Sequence, residues 1–300
     1  MKNQNDDIFS GGDSATPFHG RLSVVRVTGD DAARIVNNLT TADIARLNIG
    51  DAAETFVTEV RGRTLGHVTL SIDDGGLWMI GPPGQSEAIV GHIDRYTIRE
   101  DCTAKIQDER IAMIAPPSSA GTSPTMEQSA WTIQTSIQTS IQTTWLGSRT
   151  VVTLIDAAEG LLPPDIRSID GADFHDARIH AGFPWWGVDF TDKNLPQEVN
   201  RDHLAISFTK GCYLGQETVA RLDALGQVQK KLVRLSIQSG EIQPGDKLVQ
   251  DDKPVARITS VTSDQKFAFA MVRRAWFDPG TEANAVNDRT ADSVSAVVLK

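Results

Sequence analysis

A chain of 300 residues, 40% hydrophobic and 23% charged, has an ordinary globular composition and is long enough to bury one large core or two. Its formal charge of −10 speaks against a broad nucleic-acid-binding face, and no apolar run reaches the length that spans a bilayer. The two cysteines, Cys102 and Cys212, are far apart and supply neither a disulfide framework nor the paired spacing of a zinc or iron–sulfur site.

Met1 to Thr16 is polar and acidic, without the basic start and apolar core of a signal peptide, so a flexible tail over 1–17 and a cytoplasmic protein are expected. Arg21 to Val27 reads as a strand, and Thr28-Gly29-Asp30-Asp31 supplies turn and helix-capping residues. Ala33, Ile35, Val36 and Leu39 then give a short helix an apolar face. Thr55 to Val60, Thr64 to Ile72 and Leu77 to Ile80 predict a three-stranded meander, Ser86 to Tyr96 a helix, and Ile111 to Ala115 a buried strand. Helices laid on a largely antiparallel sheet make an α+β class.

Pro116 to Pro124 is a linker by composition. The repeat Ile133-Gln-Thr-Ser, Ile137-Gln-Thr-Ser, Ile141-Gln-Thr-Thr follows, and a flexible insertion is expected over about 116–144. Arg149 to Ile155 predicts a strand, and Asp173 to Ala181 a helix stopped by Gly182 and Pro184. Past Gly226, the runs Lys231–Ile237, Lys247–Val249, Val255–Ser260, Phe267–Val272 and Ser293–Leu299 predict a small barrel over 226–300.

The richest stretch is Lys210-Gly211-Cys212-Tyr213-Leu214-Gly215-Gln216-Glu217, continued to Arg221. Cys212 sits in a glycine-bounded turn ahead of a helix running from Glu217 to the stop at Gly226. There the helix dipole and Lys210 both favour a thiolate; the alternative is a small buried hydrophobe, and local chemistry does not separate the two. Cys102, beside Asp101, reads as structural.

With its eight specified positions, Lys-Gly-Cys-Tyr-x-Gly-Gln-Glu-x-x-x-Arg resembles the signature of the YgfZ-type folate-binding proteins, relatives of the aminomethyltransferase (T protein) of the glycine cleavage system. A second landmark, Arg178-Ile-His-Ala-Gly-Phe-Pro-Trp-Trp-Gly-Val-Asp189 with Leu195-Pro-Gln-Glu198, is similar to the superfamily pattern Arg-x-Glu-x-Gly followed by Pro, Gly, Asp and Pro-x-Glu. The resemblance implies two similar α/β halves around a central cleft, spanning 18–225, with the barrel behind them. It implies tetrahydrofolate or a derivative as ligand, with Arg178, His180 and Trp185 at the folate site. Iron–sulfur enzymes or cluster assembly proteins are the implied partners, in cluster assembly or repair and, indirectly, tRNA modification, with no metal and no direct nucleic-acid or membrane binding.

Two positions depart from the superfamily. The acid pair of Gly-x-x-x-Asp-Asp is replaced by Gly66-His67 in Gly62-Arg-Thr-Leu-Gly66-His67, and the pterin-holding glutamate by His180. A neutral imidazole cannot oppose developing positive charge as a carboxylate does, and it accepts one hydrogen bond at most. Trp185 and Trp186 can stack on a heterocycle or fill the core. Glu198 and Arg221 can pair as a structural bridge. Three readings follow: a folate-binding accessory with Cys212 as its working thiol, a folate-dependent one-carbon transferase, and a scaffold with a decayed pocket. The missing acid pair favours the first over the second.

Overall fold

The computed structural model describes residues 17–115, 139–147, 150–156, 166–225 and 228–299. In chain order these form β1 (Phe18–Gly20), β2 (Ser23–Thr28), α1 (Ala32–Leu39), β3 (Ala52–Thr58), β4 (Thr64–Asp73), β5 (Gly76–Gly81), α2 (Ser86–Tyr96), β6 (Thr103–Ile106) and β7 (Ile111–Ala115). Next come β8 (Thr139–Thr143), β9 (Thr150–Ile155), β10 (Arg167–Ser168), α3 (Ala172–Ala181), α4 (Asp202–Ala205) and α5 (Gln216–Leu225). The last strands are β11 (Lys230–Ser239), β12 (Lys247–Gln250), β13 (Lys253–Val261), β14 (Phe267–Arg273), β15 (Glu282–Asn287) and β16 (Ser293–Val298).

They build three bodies: a sheet of order β3-β4-β5-β2-β6, a sheet of order β10-β1-β7-β9-β8, and a closed barrel β11-β14-β13-β12-β15-β16. The α+β class with a C-terminal barrel is therefore the observed architecture. Both sheets are antiparallel except for the β1–β10 pair. In the first, α1 and α2 bury Ile35, Val36, Leu39, Ile89 and Ile93 against Val25, Val68, Leu70 and Met79. In the second, Phe18, Ile114, Val152 and Leu154 join Phe174, Trp145 and Trp185 in a core.

Several sequence expectations are amended. Asp31 precedes α1 without a side-chain cap bond. Its carboxylate instead accepts the Asp101 amide and Arg34, tying the helix start to the loop before β6. The tail over 1–16, the repeat units at Ile133 and Ile137, and the boundary at Gly226 lie outside the described residues. The third repeat unit is not part of a loose insertion. Ile141 is buried in β8, which pairs with β9, because alternate side chains of Thr139–Thr143 turn toward the second core.

Candidate functional site

The signature stretch lies on the first sheet's surface, held at three points. Lys210 points inward, and its Nζ donates to the carbonyl oxygens of Asn37 (2.7 Å), Thr40 (2.9 Å) and Ala42 (2.6 Å). These oxygens lie at and just beyond the C-terminal end of α1, where carbonyls lack helical partners and attract a cation. Burial pushes the Lys210 amine down to about 8, against the pull of the Asp43 carboxylate, while three acceptors favour the charged form. The Leu214 amide donates to Asn38, and Thr58 Oγ1 donates to the Leu214 carbonyl. Gly215, at φ +84°, turns the chain into α5.

Between these anchors Cys212 is exposed, as is Gly211, whereas Tyr213 is buried under the Lys210 ammonium (5.2 Å to the ring centroid). The buried-hydrophobe alternative for Cys212 is thereby excluded. The ammonium of Lys210 is occupied by carbonyls, so its clear role is to hold the loop. Gln216 opens α5, and Glu217 and Arg221 are exposed on it. The expected Glu198–Arg221 bridge does not form: Glu198 accepts from Asn194 and Leu195 and pairs with Lys230 at 3.4 Å. Cys102 is half-buried, and burial, with a smaller push from Asp101, raises its thiol pKa, as a structural cysteine requires.

The second landmark forms the joint between α3 and the barrel. Arg178, 1% exposed, donates from Nε to His175 Nδ1 (2.8 Å), from Nη1 to Asp189 (2.7 Å) and the Phe183 carbonyl (3.3 Å), and from Nη2 to Ser260 (2.8 Å). Asp189 also accepts from Thr259, Ser260 and the Trp185 amide. Trp185 is buried edge-on among Phe174, His175, Trp145 and Phe183, the core-filling option. Trp186 packs on Phe190. His180 stays half-buried with its ring edge-on to Phe267, and burial lowers its pKa.

A third cluster was not singled out from the sequence. In the β3–β4 register Phe56 lies opposite His67, and their rings stack at 4.8 Å. Phe183 stacks near the same imidazole at 5.4 Å, with Phe190 edge-on at 5.5 Å. His67 Nε2 lies 2.8 Å from Glu54 Oε1. Glu54 also takes a two-pronged ion pair from Arg201 and a hydrogen bond from Thr144 Oγ1. Arg201 holds the Glu54 carboxylate ionised far below the usual carboxylate range, overcoming burial. The cluster sews the first sheet to the second half, with Trp145 Nε1 bonded to Thr69 alongside. His67 Nδ1 is buried and has no partner. One sequence signal was available: Glu54 is the lone charge in the strand Ala-Ala-Glu-Thr-Phe-Val-Thr, in phase with Phe56, so its burial demands a cation.

Gly66 explains half of the missing acid pair. It faces α2, where a Cβ would meet Ile89 Cδ1 at 3.0 Å and Gln85 Oε1 at 3.3 Å, so position 66 has little room for a carboxylate. Position 67 faces the second half, and there the acid is replaced by imidazole.

Arg178 has its guanidinium committed to protein acceptors, and Trp185 has its ring edges enclosed. His67 Nδ1 is left as a buried acceptor among Phe56, Phe183 and Phe190, whereas the half-buried His180 packs on Phe267. Among the described residues no group of three His, Cys, Asp or Glu side chains is placed to hold a metal, and no helix is long and apolar enough to cross a membrane.

The fold is similar to that of glycine cleavage system aminomethyltransferase T from Bartonella henselae, with a TM-score of 0.78 over 95% of this chain and 86% of that one, at 17% identity. In sequence the chain is 29% identical to the mouse mitochondrial iron–sulfur cluster assembly factor IBA57, over 72% of this chain and 64% of that protein. It is 40% identical to the tRNA-modifying protein YgfZ of Colwellia psychrerythraea, over 24% of this chain and 22% of that protein. Both alignments span less than two thirds of the relative's own length. A YgfZ from Shigella dysenteriae is 23% identical over 70% of this chain and 68% of that one. No family model matches the chain. The architecture is the GcvT aminomethyltransferase fold. The relatives that the sequence resembles are named YgfZ and IBA57.

Proposed function

We propose that this protein is a cytoplasmic, folate-binding accessory of iron–sulfur enzymes, supporting cluster assembly or repair and, through a cluster enzyme, tRNA modification, with Cys212 as its working thiol. The observation that carries the reading is the exposure of Cys212 on a loop pinned from both sides by Lys210 and Gly215. A thiol that only filled space would be buried, and three hydrogen bonds on Lys210 fix where this one stands. The names of the relatives support the iron–sulfur role. The resemblance supports a reduced folate between the two halves, with Arg178, His180 and Trp185 as the residues it implies at that site.

The transferase alternative is disfavoured by the same geometry. Position 66 lacks space for an acid, and Glu54, the carboxylate beside His67, has both oxygens tied to Arg201, His67 and Thr144. A carboxylate so strongly held in its ionised form is a poor general base.

The test is complementation of cells lacking the native protein. Cys212→Ser is expected to accumulate as folded protein yet fail to restore iron–sulfur enzyme activity. Full restoration overturns the thiol role. Calorimetric titration with tetrahydrofolate and its formyl and methylene forms tests the ligand, and no heat with any of them removes the folate from the reading.

A further inference from the structure

We propose that the outer face of the barrel wall β13-β12-β15 docks an acidic segment of a partner protein, with a carboxylate seated between Lys247 and Arg257 and apolar side chains beside it. The inference goes beyond the iron–sulfur reading and does not depend on it.

The strand register builds this face. Leu248, Ala256 and Ala285 belong to the barrel core, so Lys247, Val249, Arg257 and Val286 alternate outward. Lys247 lies directly opposite Arg257 in the β12–β13 pair. Like charges placed so, with Cβ atoms about 5 Å apart, destabilise a sheet. The barrel has a second such pair, Lys230 opposite Arg273 between β11 and β14, and there Glu198 stands 3.4 Å from Lys230. Arg289 is likewise met by Asp246 at 2.8 Å. Lys247 and Arg257 have no such acid: among the described residues neither side chain makes an ion pair or a hydrogen bond. Asp288, joined to Lys247 across β12 and β15, turns its Oδ1 to the Lys247 amide at 3.1 Å and not to the ammonium.

Beside the cations runs an apolar row. Pro254, Val249 and Val286 are aligned across the three strands, and Val286 is 44% exposed. Arg273 donates from Nε to the Pro254 carbonyl at 2.9 Å, which brings a third cation to the rim. A closed barrel has no free edge, so a partner cannot add a strand here and must be held through side chains. The apolar row favours a protein over a nucleic acid, whose phosphates would leave it uncovered. The chain's net charge of −10 also repels a long polyanion.

The probe is a fluorescein-labelled peptide of alternating glutamate and valine, titrated by anisotropy against the full chain. A glutamate–serine peptide and oligouridylate run beside it. The glutamate–valine peptide is expected to bind, and the other two to bind about tenfold more weakly or less. Arg257→Glu converts the like-charge pair into an opposite-charge pair. It is expected to raise the melting temperature of the free protein while weakening the peptide about tenfold or more. A purely structural role for the two cations does not move the two readings in opposite directions. Val286→Ser, which keeps every charge, is expected to weaken the glutamate–valine peptide toward the level of the glutamate–serine one. Absence of glutamate–valine binding, or binding untouched by Arg257→Glu, overturns the inference. A melting temperature that Arg257→Glu leaves unchanged or lowers removes the unrelieved repulsion and overturns it as well. Oligouridylate bound more tightly than the peptide assigns the face to nucleic acid instead.

Discussion

Gly62 and Gly215 meet through bare backbone. A Cβ on Gly215 would lie 2.7 Å from Gly62 Cα and 2.5 Å from the Glu59 carbonyl oxygen, and a Cβ on Gly62 would lie 2.8 Å from Thr218 Cβ. Both residues have positive φ, +77° at Gly62 and +84° at Gly215. The β3–β4 turn and the loop carrying Cys212 are thus pressed together at a point that admits no side chain. Gly215→Ala is expected to meet both a left-handed backbone penalty of about 1–2 kcal/mol and a clash with backbone that cannot swing aside. Thermal melting checks the loss of stability. Hydrogen exchange should accelerate at Leu214 and Val219, whose amides bond Asn38 and the Gly215 carbonyl.

Cys212 and Cys102 make an internal comparison. Cys212 is exposed, whereas burial raises the pKa of Cys102. Iodoacetamide at pH 7 is expected to label Cys212 well before Cys102, as mass spectrometry of peptides would record. Because the Cys212 side chain is at the surface, Cys212→Ser should change unfolding free energy by no more than about 0.5 kcal/mol. Equal labelling rates, or a large drop in stability, would contradict the exposed placement.

The Glu54–Arg201 pair gives a larger effect. Arg201→Leu leaves a buried carboxylate with only His67 and Thr144, and is expected to cost about 3–5 kcal/mol in urea unfolding. Adding Glu54→Leu to Arg201→Leu should recover part of that loss, since the unpaired charge is then gone. A double variant no better than the single one would show that packing around the guanidinium, not the charge, dominates.

Asp202 gives the pH dependence. Burial raises its carboxyl to about 6 from the ordinary 3.8, with Asp223 pushing the same way and Lys231 opposing. The folded state then holds the proton more tightly than the unfolded one, so this group's contribution is full below pH 4 and is lost as the pH rises through 6. Asp202→Asn should match the wild type near pH 4 and exceed it at pH 7, by on the order of 1–3 kcal/mol. Stability curves that stay parallel from pH 4 to 7 would refute the assignment.

What could be read from the sequence tracks the kind of signal each element carries. The α2 span was legible at both ends, since Ile89 and Ile93 recur with helical period between turn residues. The strand β15 was missed. Its inward residues are Ala283, Ala285 and Asn287, small or polar side chains that fill a narrow barrel, while its valine, Val286, faces solvent. The repeat ending at Ile141 hid β8, because threonine and glutamine on the outer face look like linker composition. The signature loop was visible as a string of residues, but the role of Lys210 was not. Its partners are carbonyls about 170 residues away in sequence, and no side-chain pattern announces a backbone acceptor. The same holds for Arg201 and Glu54, which meet only when the two sheets pack.

The interleaving of the first two sheets constrains how the chain can acquire its structure. β1 and β2 are neighbours in sequence but enter different sheets, and Phe18 of β1 pairs with Arg167 on one side and Ile114 on the other. A ribosome must therefore deliver residue 167 before β1 has both partners, even though the first sheet can close once β6 has emerged. Pairings between such distant segments are reached slowly, because loop closure is required before the contacts repay it. Until then the underside of the first sheet, with Trp78 and Ile80 destined for the second core, stays uncovered on the nascent chain. Chaperone dependence during synthesis should accordingly be concentrated between the completion of β6 and the arrival of β10.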